Sequence, residues 1–206
     1  MKHRIKAGVL VGLAGMAMVG LSACQPPQLG PGCHFARSAS QVLLNHNANG
    51  WGDGASNVWA SGGRSHWNNA NTKAPTIVNY WPQDQNAGHF GVKEYTSNVS
   101  INSGYTSTVG PSGGFAPPTC GSSSWATKPH IWLNTTKGSA NERNGRQLWN
   151  YGVAAHEIGH ALGLGHTTNT DCAKVHLMES RNATAQDCNV HHPTAGDKAA
   201  VNGIYD

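Results

Sequence analysis

The chain of 206 residues is long enough for one domain of ordinary size with a hydrophobic core. Charged residues make up only 12% and glycine occurs 26 times, a composition that favours a loop-rich β or α+β protein over a helical bundle. The formal net charge of +4 falls to +1 without the three cations of the first 23 residues. A net charge of +1 leaves no row of basic side chains that could bind the phosphates of a nucleic acid, so we expect no nucleic-acid partner.

The N-terminal segment has the features of an export signal. Lys2, Arg4 and Lys6 form a positively charged start, and a glycine-containing apolar run follows over residues 7–21. This run is too short for a bilayer span of about 20 residues, and no stop-transfer flank follows it. We therefore predict a signal peptide over residues 1–23 and a domain on the extracytoplasmic side of the membrane.

A candidate lipid attachment site follows. Leu21-Ser22-Ala23-Cys24 resembles the bacterial lipobox, in which cleavage before the cysteine follows diacylglyceryl transfer to its sulfur. Residues 24–32 are rich in proline and glutamine, and we predict an anchor and an extended linker there. The alternative is an ordinary secretory signal, but Leu21 is too large for the small-residue pattern of ordinary cleavage. We expect a lipoprotein of the cell membrane; release as a secreted form stays open.

The cysteine count agrees with a lipid on Cys24. Five cysteines are an odd number for an exported protein, and lipidation of Cys24 leaves four that can pair in three ways. Proximity in the sequence favours Cys172 with Cys188, which closes a short loop. Cys33 with Cys120 would then attach the N-terminal segment to the body of the domain. The other pairings remain open.

Residues 33–206 show no internal repeat and no second apolar period, so we predict a single domain. The run over residues 38–46 favours a short amphipathic helix capped by Ser38 or Ser40. Residues 55–60 have the pattern of a further helix, although glycines flank them.

Four segments have the composition of β-strands. Two are apolar runs next to a proline, and two alternate apolar with polar residues. These segments are residues 76–81, 91–95, 98–102 and 130–134. The glycine-, serine- and proline-rich residues 104–124 predict a long surface loop.

The most informative motif lies at residues 156–166. His156 and His160 are four residues apart, so on a helix they lie about 40° apart around the axis and about 6 Å apart along it. Both imidazoles can then bind one zinc ion at about 2.0–2.1 Å. Glu157, one step round the helix, lies beside the metal rather than on it. This position suits a general base acting on a water molecule.

Two histidines leave the metal short of ligands. Gly163 can adopt the left-handed conformation that ends a helix and turns the chain. Such a turn brings His166 towards the same ion, and three neutral histidines leave the open position of a catalytic zinc site. His176, His191 and His192 are near in sequence, but histidines of this kind are more often exposed or hydrogen-bonded.

Together His156, Glu157, His160, Gly163 and His166 form His-Glu-x-x-His-x-x-Gly-x-x-His, which resembles the metzincin signature of zinc peptidases. The flanking residues look most like the matrixin branch. The resemblance implies an α+β metzincin-like zincin fold. This fold has a small twisted mixed β-sheet, an active-site helix with the motif, a methionine turn and a C-terminal helix. It also implies one catalytic Zn²⁺.

The similarity extends over residues 129–206. Met178 lies at the distance expected for the methionine turn below the zinc, and residues 193–205 are similar to the closing helix of matrixins. Thr194 and Asp197 form a plausible capping box for that helix. Ser180 departs from the family, since matrixins usually have proline there and astacin-like members have tyrosine. The chain has few carboxylates outside the motif, so a structural calcium site is not supported.

We predict a zinc metalloendopeptidase that hydrolyses peptide bonds of extracellular proteins, with Glu157 as the base. The substrate is expected to pair with an edge strand, either residues 98–102 or residues 130–134. We expect a monomer that touches the membrane only through its N-terminal lipid. The alternative is a lipid-anchored zinc- or cell-wall-binding protein on a catalytically silent metzincin scaffold. No residue indicates the physiological substrate or the cleavage preference.

Overall fold

A computed structural model describes the chain in seven stretches. They are residues 33–46, 54–84, 86–96, 104–107, 120–121, 124–180 and 182–206. The predicted signal peptide, Cys24 with its linker, and the strand predicted over residues 98–102 lie outside these stretches. None of the described helices is both long and apolar enough to cross a bilayer.

The fold is built on a five-stranded mixed β-sheet. In chain order the strands are β1 (Gln41–Asn45), β2 (Thr76–Tyr80), β3 (Phe90–Tyr95), β4 (Gly104–Ser107), β5 (Cys120–Gly121), β6 (Ser124–Trp125) and β7 (His130–Asn134). The sheet order is β2-β1-β3-β7-β4, and β5 with β6 forms a separate two-stranded ribbon. All neighbours in the sheet are parallel except β4, which runs antiparallel to β7.

Five helices accompany the sheet in the part of the chain that the structure describes. They are α1 (Ala55–Asn68), α2 (Thr135–Arg143), α3 (Gln147–Ala161), α4 (Asn182–Asp187) and α5 (Ala195–Tyr205). Helices α1 and α3 pack against one face of the sheet and against each other. Together with the mixed sheet, they confirm the predicted α+β class.

The core lies between the sheet and these two helices. Alternate side chains of three neighbouring strands are at most 1% exposed, as expected for a sheet with one face buried. These side chains are Val42, Leu44, Val92, Ile131 and Leu133. The opposing surface of α3 contains Ala154, Ala155 and Ile158, which are fully buried.

Small residues let α1 and α3 come into close contact. A Cβ added to Gly63 on α1 would lie 2.5 Å from the backbone nitrogen of Ala155 on α3, so this crossing requires glycine. Trp67, one turn further along α1, donates its indole N–H to the backbone oxygen of Ala155 at 2.7 Å. The packing of α1 against α3 therefore fixes the position of α3 and of the zinc motif that α3 contains.

The helix predicted over residues 38–46 is wrong, because this segment contains strand β1. Val42 and Leu44 are fully buried, whereas Leu43 between them is half-buried and Gln41 is exposed. A short apolar run does not distinguish a buried strand from a helix by itself. Here two parallel neighbours, β2 and β3, satisfy its backbone on both sides.

The loop predicted over residues 104–124 is also partly wrong, since it begins with strand β4. Strand β4 is the terminal strand next to β7 in the described sheet. Strand β7 therefore lies between β3 and β4, and the prediction that residues 130–134 form an open edge for substrate is wrong. Strand β4 is hard to recognise in the sequence because it has only four residues, and its strand formers Tyr105 and Thr106 lie among glycine and serine residues.

The other described elements confirm their predictions. The helix predicted at residues 55–60 is the start of α1, and the strands predicted at residues 76–81, 91–95 and 130–134 are β2, β3 and β7. The capping box at the start of α5 is present, with both of its reciprocal hydrogen bonds between Thr194 and Asp197.

Candidate metal centre and active site

Three histidines converge at the end of helix α3. His156 and His160 lie on α3, and His166 lies beyond the turn that follows it. The Nε2 atom of His166 is 3.1 Å from Nε2 of His156 and 3.0 Å from Nε2 of His160. Within the described residues, no other group of three histidine, cysteine or acidic side chains is arranged to hold a metal ion. The structure thus brings together the three ligands predicted from the motif.

The turn between His160 and His166 depends on Gly163. Gly163 has φ +104°, a left-handed conformation that side chains with a Cβ rarely adopt, and its N–H donates to His160 O at 2.9 Å. A Cβ at this position would also lie 2.9 Å from Cβ of His34 and 3.0 Å from the backbone oxygen of Cys33. Both backbone conformation and close packing therefore require glycine where the chain turns towards His166.

Two backbone oxygens orient the helical histidines. His156 Nδ1 lies 2.7 Å from the oxygen of Leu177, and His160 Nδ1 lies 2.8 Å from the oxygen of Leu164. A carbonyl oxygen only accepts, so each Nδ1 carries the proton. In the neutral ring, Nε2 then presents a lone pair towards His166.

This arrangement fits a zinc ion. Burial lowers the pKa of His156 and of His160, and burial followed by the neighbouring His156 lowers the pKa of His166 to about 3. The rings are therefore neutral, and the two helical Nε2 lone pairs repel that of His166 unless a cation lies between them. Nitrogens that share a tetrahedral zinc at the usual bond length are about 3.3 Å apart, close to the observed separations.

Met178 packs directly beneath the zinc helix. It is 2% exposed, and a Cβ added to Gly159 would lie 2.4 Å from its sulfur. The backbone of Met178 accepts a hydrogen bond from the N–H of Thr167, and Ser180 N–H donates to the oxygen of Thr167. The methionine turn is thereby joined to the residue that follows His166, which fixes the third ligand relative to the first two.

Asp197 connects the methionine turn to helix α5. Its buried carboxylate accepts hydrogen bonds from the N–H of Leu177 at 2.9 Å and of Met178 at 3.3 Å, besides those of Thr194 in the capping box. Leu177 is the residue whose oxygen orients His156. The sequence indicated Asp197 as a helix cap but gave no sign of its bonds to the turn.

We expect Asp197→Ala to lower the free energy of unfolding by about 2–4 kcal/mol, because it leaves several buried donors without an acceptor. Asp197→Asn, which retains one acceptor oxygen, should lose less. Asp171→Ala is the matched control, because its exposed carboxylate pairs with Lys174 and accepts from the N–H of Ala173; it should change stability by less than about 1 kcal/mol. Urea denaturation followed by fluorescence measures all three, and equal midpoints for the Asp197→Ala variant and the wild type would contradict this role.

Glu157 is buried beside the histidines on α3 and is 3% exposed. Burial raises the pKa of its carboxyl to about 8, and a hydrogen bond from Thr106 acts in the opposite direction. Thr106 Oγ1 lies 2.8 Å from Oε2 of Glu157. Thr106 was not predicted as a site residue, because it belongs to the segment that was interpreted as a loop.

A small cavity of about 10 Å³ opens next to His156. Its walls come from α3, from Leu177 of the methionine turn and from residues 185–191; they include Trp149, Val153 and His191. His191 thus belongs to the cavity wall, His176 lies 2.7 Å from the hydroxyl of Thr194, and His192 is exposed. None of these three histidines joins the metal-binding group in the described residues.

A disulfide joins two parts of the segment between the zinc motif and helix α5. Cys172 and Cys188 form a disulfide with Cα atoms 5.1 Å apart, as their proximity in sequence predicted. Cys33 is also in a disulfide. The side chain of Cys120, its predicted partner, is outside the described residues, so that pairing remains a prediction.

Comparison with known proteins agrees with the site. A family model described as Matrixin matches residues 57–206, which is more than half of the chain and includes the metal centre and every sheet strand except β1. A comparison with curated proteins finds no match. Because the family model covers the whole region that builds the site, this chain belongs to the matrixin family of metallopeptidases.

Proposed function

We propose that this matrixin is a zinc-dependent endopeptidase that hydrolyses peptide bonds of extracellular proteins. The observation that carries the proposal is the convergence of three neutral imidazoles on one point, together with the buried carboxyl group of Glu157, which follows His156 on the same helix. His156, His160 and His166 would hold the ion. A bound zinc ion supplies Lewis acidity, which lowers the pKa of a coordinated water to about 7 and polarises a carbonyl group.

Glu157 is the proposed general base and then general acid. Its carboxylate accepts a proton from the attacking water, and the resulting carboxyl group returns that proton to the leaving amine nitrogen. Burial raises the pKa of this carboxyl group, which favours the protonated form that acts as the acid in the second step. The intact Glu157 also argues against a catalytically silent scaffold.

We propose that the substrate lies extended along β4 and places one side chain over the small cavity beside His156. Strand β4 has only β7 as a neighbour within the described sheet, so its outer backbone groups suit pairing with a peptide strand. The cavity is lined by both apolar and polar side chains, including Trp149 and His191. This edge replaces the one that the sequence placed at residues 130–134.

We further propose that the enzyme acts outside the cell while anchored through Cys24. The support is the positively charged start, the short apolar run and the lipobox-like Leu21-Ser22-Ala23-Cys24. Metabolic labelling with a radioactive fatty acid tests the anchor: label should enter the wild type and be absent from Cys24→Ser. Equal labelling of the two would remove the lipid from the proposal.

Incubation with a mixed peptide library tests the activity. We expect internal cleavage, mapped by mass spectrometry, that stops when a chelator removes the metal and returns when zinc is added. Retained zinc binding without cleavage of any peptide would contradict the proposal and favour a binding protein. Cleavage of peptidoglycan amides in place of peptides would instead indicate an amidase.

A further inference from the structure

The terminal strand of the sheet contacts the proposed base directly. Thr106 of β4 is buried, and its Oγ1 atom lies 2.8 Å from Oε2 of Glu157 and 2.8 Å from the backbone oxygen of the same residue. The two residues are 51 positions apart in the chain. One hydroxyl group from the sheet therefore meets both the side chain and the main chain of Glu157.

Thr106 is also the one side chain that hydrogen-bonds the Glu157 carboxyl group within the described stretches. The helix on which Glu157 lies restricts its backbone, but it leaves the outer side-chain torsions of glutamate free. A bond to Oε2 from a residue on a different element restricts those torsions. The position of Thr106 therefore allows it to set the orientation of the Glu157 carboxyl group.

Gly104 on the same strand limits the carboxyl group from a second direction. It is two residues before Thr106, so both positions face α3. A Cβ added at Gly104 would lie 2.9 Å from Cγ and 3.0 Å from Oε1 of Glu157. Strand β4 therefore packs against one side of the carboxyl group and donates a hydrogen bond on the other.

We propose that Thr106 is a positioning residue for Glu157, an inference that rests on the proposed peptidase function. Its hydroxyl group holds the carboxyl group in the orientation needed for proton transfer. Because the same strand is the proposed substrate edge, β4 sets the positions of both the peptide and the base. Thr106 itself does not touch the reacting atoms.

A hydroxyl group is better suited to hold the Glu157 carboxyl group than a group that can only donate a hydrogen bond. It has one hydrogen to donate and lone pairs that accept. It can donate to Oε2 while the carboxyl group is ionised. Once that group carries a proton, the hydroxyl can accept from it and donate to the backbone oxygen of Glu157. The contact between Thr106 and Glu157 thus persists on both sides of the proton transfer.

Thr106→Val tests the proposal, since valine keeps the shape of threonine and removes the hydroxyl group. We expect kcat of the zinc-loaded full chain to fall about 10- to 100-fold, as for a misplaced catalytic group, while KM changes less than about threefold. Thr106→Ser, which restores a hydroxyl group, should recover most of kcat. Thr135→Val removes a hydroxyl group that bonds the backbone oxygen of Tyr95 instead of Glu157, and it should leave kcat unchanged.

A second measurement does not depend on activity. The chain contains only four glutamates, so ¹³C labelling of glutamate gives four side-chain carboxyl signals in the metal-free protein. Loss of one signal in Glu157→Gln assigns Glu157. We expect Thr106→Val to shift that signal and leave the other three in place, and Thr106→Ser to return it towards its original position.

The outcomes separate this inference from the proposed function. A wild type that cleaves no peptide overturns the peptidase proposal, yet the carboxyl signal still shows whether Thr106 orients Glu157. An active wild type with an unchanged kcat and an unshifted Glu157 signal in Thr106→Val overturns the positioning role alone. A loss of kcat that Thr106→Ser does not restore also overturns it, because the cause would then be packing. Zinc content should remain one ion per chain in every variant.

Discussion

Glu157→Gln is expected to retain one zinc ion per chain and to lose peptide hydrolysis by about 10²–10⁴-fold in kcat. Glutamine has nearly the shape of glutamate, and its amide group can still meet the hydroxyl of Thr106 at the 2.8 Å contact. It does not, however, accept a proton from water at neutral pH. The metal-binding imidazoles are untouched by this change, so metal content and turnover should separate.

The measurement combines kcat from a cleaved library peptide with zinc content from elemental analysis. Glu142→Gln is a matched control, because Glu142 accepts a hydrogen bond from the indole of Trp59 on a different helix and an amide oxygen can replace it. We expect this control to keep wild-type kcat. If Glu157→Gln hydrolysed peptides at the wild-type rate, Glu157 would have no part in proton transfer and another base would be required.

The metal centre could be predicted from the sequence because its parts are local. All three histidines lie within eleven consecutive residues, and helix geometry relates the first two directly. The third histidine reaches the site through a sharp turn, which Gly163 indicates in the sequence. The φ of Gly163, +104°, is the left-handed conformation that such a turn needs. Residue spacing is sufficient to predict a metal centre whose ligands are arranged by short-range geometry.

The residues that support the site were harder to predict because they come from distant segments. Thr106 lies in a strand of only four residues, too short to be recognised from the sequence, and its role appears only when β4 pairs with β7 and packs on α3. Asp197 was expected to cap α5, but its bonds to Leu177 and Met178 depend on how α5 docks against the methionine turn. No periodicity or motif in the sequence indicates these contacts of Thr106 and Asp197.

The helix predicted in place of strand β1 was wrong for a related reason. Its apolar residues Val42 and Leu44 fit either a helix or a strand over so short a run. The parallel partners that decide the question begin at Thr76 and Phe90, far along the chain. Parallel pairing is non-local by nature, since a crossover must separate the strands. The helix α1 between β1 and β2 provides that crossover.

The second large effect is expected from His166→Ala, which should weaken zinc binding by more than about 100-fold. Loss of an outer partner of a metal ligand typically costs about 10- to 100-fold in affinity, and a direct ligand contributes more. His166 is the best ligand to remove, because it is half-buried and lies outside α3, so alanine there leaves the helix and its core contacts in place.

Thermal unfolding with and without a chelator provides the readout. A ligand that binds only the folded state stabilises it, so the wild type should melt at a lower temperature once zinc is removed. The midpoint of His166→Ala should be nearly the same in both conditions and close to that of the zinc-free wild type. His192→Ala, at an exposed histidine outside the metal-binding group, should respond to the chelator as the wild type does. If His166→Ala kept the wild-type response and His192→Ala lost it, the third ligand would be His192, and the turn at Gly163 would serve packing alone.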